Sequence, residues 1–108
     1  METKAPSRRV ALSLLAHPDD AEFLCAGTLA RLAEAGWEIH IATATAGDCG
    51  TVSLKPEEIA EIRRQEAARA AGVIGGQYHC LDELDVHVAF DKPTIRKAID
   101  LLRRVAPT

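Results

Sequence analysis

The chain has 108 residues, 47% of them apolar and 27% charged, with a formal net charge of −3. That length holds one domain or part of one, and the composition is that of a globular protein and not of a disordered chain. The weak acidity argues against a nucleic-acid partner: Arg8-Arg9, Arg63-Arg64 and Arg103-Arg104 are isolated pairs, not a basic stripe.

No stretch approaches the ~20 consecutive apolar residues of a membrane span. Residues 1–9 are polar and precede no adequate signal-peptide core. Cys25, Cys49 and Cys80 are odd in number and show no CxxC spacing, so free thiols are expected rather than a disulfide framework. These features together predict a cytoplasmic protein.

Residues 10–16 form a nearly unbroken apolar run, the pattern of a strand buried on both faces of a parallel sheet. Residues 20–35 then read as one helix with Ala26, Leu29, Ala30 and Ala33 on its apolar face. Gly36 stands where a left-handed residue ends such a helix. Residues 38–45 follow as a second strand, and residues 46–55, with Gly47 and Gly50, as a loop. Pro56 suits the first position of the next helix, Glu57 and Glu58 favour its positive end, and Ile59, Ile62, Ala67, Ala70 and Ile74 supply its stripe. Gly75-Gly76 breaks the pattern before a short third strand over residues 77–81. A last helix opens at Pro93, with Ile95, Ala98, Ile99, Leu102 and Val105 on its apolar face.

This βαβαβα alternation predicts an α/β protein, a Rossmann-like three-layer fold with a parallel sheet, represented by its first three βα units only. No internal repeat or second domain is visible. Three strands would leave edges open, so self-association into a homo-oligomer is expected of the 108 residues alone.

The chemistry concentrates at Ala16-His17-Pro18-Asp19-Asp20-Ala21-Glu22, at the carboxyl end of the first strand, where open α/β sheets place their ligands. His17 offers a nitrogen ligand and Asp20 an oxygen ligand to one divalent cation. A cation so held brings the pKa of water from ~16 to ~7, and Asp19 is placed to accept that proton as a general base. A bland reading competes. Asp19 followed by Glu22 is also a capping-box spacing at a helix start, and Asp20 is an alternative cap.

The same segment, followed by Gly27-Thr28-Leu29-Ala30 and Gly36, is similar to the opening signature of the PIG-L/LmbE de-N-acetylases. Thr45-Ala46-Gly47-Asp48-Cys49-Gly50 resembles that family's glycine-containing loop, and Arg63-Arg64-Gln65-Glu66 its helix with an Arg-x-x-Glu element. The resemblance covers nearly the whole chain in order. It implies that residues 1–108 are the N-terminal part of a single deacetylase domain, with His17 and Asp20 as ligands to zinc, or alternatively iron(II). Asp19 would be the general base. Arg63 and Asp85 would approach the substrate, a small acetylated amino sugar or conjugate of the N-acetylglucosamine type. Read from its own position, not from the resemblance, Glu22 serves the helix start and orients the metal-binding turn without touching the metal.

Two departures stand out: Ala26 replaces the first glycine of a Gly-Gly-Thr element, and no HxDH element supplies the family's third ligand. His40, His79 and His87 do not match that pattern, so the third ligand is expected beyond residue 108. His40 reads as a packed strand residue, Cys49 as a neighbour of the site and Trp37 as a packing anchor. Two rivals remain. Receiver domains also carry paired acids after their first strand and bind Mg²⁺, but His17 suits zinc better, imidazole being a poor magnesium ligand. The other rival is a non-catalytic fragment of the same fold.

Overall fold

In the computed structural model, which describes residues 7–108, three parallel strands carry helices on both faces. Most of the polar start discussed above, residues 1–6, lies outside the described residues. The strands are β1 (Val10–Leu15), β2 (Glu38–Thr45) and β3 (Gln77–Glu83), in the order β1-β2-β3. Four helical segments occur where three were expected: α1 (Asp20–Leu24), α2 (Ala26–Glu34), α3 (Pro56–Val73) and α4 (Lys92–Val105), the first two replacing one predicted helix.

The break between α1 and α2 falls at Cys25, whose φ of −144° leaves the helical region. No glycine or proline marks it, which is why the periodic pattern ran straight through. Gly36, at φ 90°, does end α2 as expected.

β2 is the central strand and the most buried, although β1 is the more apolar in sequence. Beyond Val10, β1 is only half-buried, because it is an edge of the described sheet. Thr108 closes part of that edge: its N–H donates to the Val10 carbonyl and its Oγ1 accepts from Val10 N, both at 2.9 Å.

Alternate strand residues build two cores. On one face Ile39 and Ile41 pack with Leu29 of α2 and Ala71 of α3. On the other, Val10 and Ala42 meet Leu101 and Val105 of α4. Fully burying a side chain the size of Leu101 or Val105 contributes about 1.5–3 kcal/mol. The faces of both later helices match expectation only in part. α3 buries Ala67 as expected, together with Ala60 and Ala71, and leaves Ile62 exposed; α4 buries Val105 as expected, together with Leu101, and exposes Ile99 and Leu102.

The α4 face of the sheet also holds a polar chain. Arg8 donates to both carboxylate oxygens of Glu38, at 2.6 and 2.7 Å. Glu38 Oε1 in turn lies 2.7 Å from Nε2 of His40, which is buried and hydrogen-bonded at 2.8 Å to His79. These histidines sit in the sheet as packed residues.

Candidate active site

The segment after β1 folds as a tight turn because of its residue types. Pro18 sets the second position and Asp19 takes the third at φ 84°, ψ −20°, close to the type II geometry, with Asp20 N–H donating to the His17 carbonyl at 3.2 Å. Aspartate is one of the few residues that enters this left-handed region readily. The turn is closed a second time, since Asp20 Oδ2 accepts the His17 N–H at 2.9 Å. Two crossing bonds therefore bring the His17 and Asp20 side chains together, with Nδ1 and Oδ2 3.7 Å apart.

The capping-box alternative is not what forms. Asp19 makes no side-chain cap bond to α1, and Asp20 turns back to His17. Glu22 Oε1 is buried with no hydrogen-bond partner, and Glu22 lines a neighbouring cleft with Pro18, Asp19, Arg63 and Glu66.

The loops after β2 and β3 are locked to each other by two aspartates. Asp48 Oδ1 accepts from Asp85 N at 2.7 Å, and Asp85 Oδ2 accepts from Cys49 N at 3.0 Å. Thr45 Oγ1 donates to the other Asp85 oxygen, and His17 Nε2 lies 3.2 Å from it. Asp85 is thus buried, not free in a loop. Burial alone would raise its pKa. The bonds from Thr45 and Cys49, with the charges of His17 and Arg63, outweigh this and hold it below the ordinary carboxylate value. Burial, then the charges of Asp48 and Asp85, push the Cys49 thiol up, which keeps it protonated.

Arg63 arrives from α3. Its Nη2 donates to the Pro18 carbonyl at 2.9 Å and lies 3.5 Å from Asp19 Oδ2, rather than turning along the helix to Glu66. The guanidinium passes over Gly47, at φ 74°, where any Cβ would collide with it, and over Gly50.

The result is one open cleft of about 410 Å³ at the carboxyl edge of the sheet. His17, Asp19, Asp20, Arg63 and Asp85 all line it, together with Cys49, Gly50 and Val86. Among the described residues, no group of three or more His, Cys, Asp or Glu side chains is arranged to hold a metal ion. His17 and Asp20 offer one nitrogen and one oxygen at a separation a single cation can bridge, since zinc lies ~2.0–2.2 Å from such donors. That donor set fits zinc as far as it goes. His79 lies on β3 paired with His40, and His87 is not among the residues lining the cleft.

Sequence reading missed Asp48 and Val86. Asp48 acts through a contact 37 residues away, and nothing local signals it. Val86 stands at φ 68° in a turn closed by His87 N to the Leu84 carbonyl at 3.1 Å. That is the third position of a type II turn, where glycine or asparagine is usual; a β-branched residue is strained there by about 1–2 kcal/mol.

An α/β sheet with an imidazole and carboxylates gathered at the carboxyl ends of its strands has its candidate site where open α/β sheets bind their ligands. The family model for PIG-L, GlcNAc-PI de-N-acetylase, matches residues 12–108, and the chain belongs to that family. It is 40% identical over 78 residues to the 1D-myo-inositol 2-acetamido-2-deoxy-alpha-D-glucopyranoside deacetylase of Kineococcus radiotolerans, covering 67% of this chain and 21% of that one. Its fold is similar to N,N'-diacetylchitobiose deacetylase from Pyrococcus horikoshii, with TM-score 0.84 and 28% identity over 94% of this chain and 39% of that one. It is also similar to the 4-carboxy-2-hydroxymuconate hydratase of Pseudomonas putida KT2440, with TM-score 0.82 and 28% identity over 92% of this chain and 44% of that one. The chain therefore spans less than half the length of these relatives.

Proposed function

We propose that the complete protein hydrolyses the N-acetyl amide of an amino sugar or amino-sugar conjugate with the aid of a divalent metal, zinc in the first instance. The observation that carries this reading is the turn at His17-Pro18-Asp19-Asp20. Its crossed hydrogen bonds put a nitrogen donor, an oxygen donor and a separate carboxylate on one open cleft. Two of the three relatives named above are deacetylases of acetylated sugars.

In this reading His17 and Asp20 hold the metal, which when bound supplies Lewis-acid activation of water and of the acyl carbonyl. Asp19, outside the donor pair and with a half-exposed side chain, accepts the proton of the attacking water. Arg63 fixes the turn through the Pro18 carbonyl and presents the rest of its guanidinium to the substrate's oxygens. Asp85 is too buried to be chiefly a substrate ligand. We assign it to orienting the His17 ring, whose Nε2 it faces, while Nδ1 faces Asp20. Two protein donors fall short of the usual three, and the third is assigned to a segment outside these 108 residues. Residues 1–108 are accordingly one part of a single deacetylase domain. Nothing in them is long and apolar enough to be a membrane-crossing helix among the described residues, and we place the protein in the cytoplasm.

The hydratase relative supports a second reading, in which the same activated water adds to a carbon–carbon double bond. The test is direct. The zinc-loaded whole protein is given N-acetylglucosamine compounds, with release of free amine followed, and separately an unsaturated dicarboxylate, with loss of ultraviolet absorbance followed. Amine release supports deacetylation; absorbance loss without amine release replaces it with hydration.

A further inference from the structure

Val86 stands where neither local conformation nor packing favours it. Its φ of 68° lies in the left-handed region, which β-branched side chains disfavour. Its side chain is 89% exposed, so no core contact offsets the strain. The turn is nevertheless fixed on both sides. Asp85, just before it, points inward and is held by Thr45, Cys49 and Asp48, and His87 N closes the turn onto Leu84. With Asp85 turned in, the turn holds the Val86 isopropyl group out on the wall of the cleft that contains His17, Asp19, Asp20 and Arg63.

The chemistry of that wall is lopsided. Apart from Val86, the side chains lining it are imidazole, carboxylate, guanidinium and thiol. Polar groups fix the orientation of a ligand, but binding clefts need apolar area as well. A pyranose ring supplies the matching partner, since its axial C–H bonds gather into an apolar patch while its hydroxyls point outward. A stiff isopropyl group with a single side-chain torsion loses little freedom on meeting such a patch.

We propose that Val86 is a specificity-determining residue that packs against the C–H face of the sugar ring held in the cleft. This rests on the amino-sugar reading above and deepens it: the turn's strain is retained because the valine contacts substrate.

The test uses the whole protein and N-acetylglucosamine as the probe. Val86→Asn fits the left-handed position better than valine and removes the isopropyl group; Val86→Thr keeps the branched shape and the strain but replaces a methyl with a hydroxyl. Melting temperature, the dissociation constant for N-acetylglucosamine and magnetisation transfer between the Val86 methyls and the sugar-ring protons are measured. Expected are a Val86→Asn variant that melts higher than the wild type yet binds about tenfold more weakly, a Val86→Thr variant that melts like the wild type and binds more weakly, and transfer to ring protons in the wild type. Val86→Asn binding as tightly as the wild type, or no transfer to ring protons, overturns the proposal while leaving deacetylation standing. Absence of any saturable binding by the wild type overturns the amino-sugar reading itself, and this inference with it.

Discussion

Arg63 Nη2 donates to the carbonyl of Pro18 at 2.9 Å and so ties α3 to the turn that carries His17 and Asp20. The bond spans 45 residues of chain and makes the position of the turn depend on a helix that otherwise packs by small alanines. A charged donor to a part-buried acceptor contributes about 1.5–3 kcal/mol, and leaving the acceptor unmet has a cost of its own. Arg63→Lys is therefore expected to be nearly as harmful as Arg63→Ala, because an ammonium lacks the planar fork that lies over Gly47 and Gly50 while reaching Pro18. Both variants should lower the melting temperature by several degrees and lower activity further still. Lysine restoring wild-type values in both measurements contradicts the tie.

Gly47 tests the same contact from the other side. An alanine there meets the Arg63 guanidinium and also carries a side chain at φ 74°, a backbone strain of about 1–2 kcal/mol. Gly47→Ala should destabilise the protein by more than that strain alone. In an Arg63→Ala background only the strain should remain, so a double-mutant cycle should show clear coupling. Denaturant titration of the four proteins measures it; strictly additive effects would mean that the guanidinium does not rest on this glycine.

The polar chain on the far face predicts a pH dependence. The hydrogen bond from Arg8, then that from His40, hold Glu38 down at about 2. A carboxylate whose folded pKa lies below its unfolded one stabilises the fold above the unfolded pKa of about 4.5, and that contribution is lost as pH falls through about 2. Glu38→Gln should accordingly melt below the wild type at neutral pH. The gap should close progressively below pH ~4.5. A gap that is constant from neutral pH down to pH ~2 means that Glu38 titrates alike in both states.

What the sequence made legible follows from the range of the forces involved. The strand and helix order and the His17–Asp20 turn depend on neighbours within a few residues, and both were readable: Pro18 and Asp19 carry the turn's geometry in their own residue types. The faces of α3 and α4 were readable only in part: Ala67 and Val105 are buried as expected, whereas Ile62, Ile99 and Leu102 are exposed. In α4, Leu101 and Leu102 are adjacent and equally apolar, and only the sheet decides between them. In α3 the close approach to β3 selects Ala60, Ala67 and Ala71 over the bulkier Ile62, whereas reading by hydrophobicity favours isoleucine. The Asp48–Asp85 lock joins two loops through tertiary structure alone, so the sequence offered Asp85 only as a residue approaching the substrate and gave no sign of its bonds to Thr45, Asp48 and Cys49. Val86 contradicts local preference outright, so nothing local could have pointed to it.

In the proposed mechanism two adjacent carboxylates do different work, Asp20 holding metal and Asp19 moving a proton. The most direct measurement is zinc content beside amine release from an N-acetylated amino sugar, made on the whole protein and on its Asp19→Ala and Asp20→Ala variants. Asp20→Ala should lose zinc and activity together, because an oxygen donor is removed. Asp19→Ala should keep most of its zinc and lose turnover by ~10²–10⁴-fold, the usual worth of a general base. Equal zinc in both variants together with an active Asp19→Ala protein would contradict the assignment.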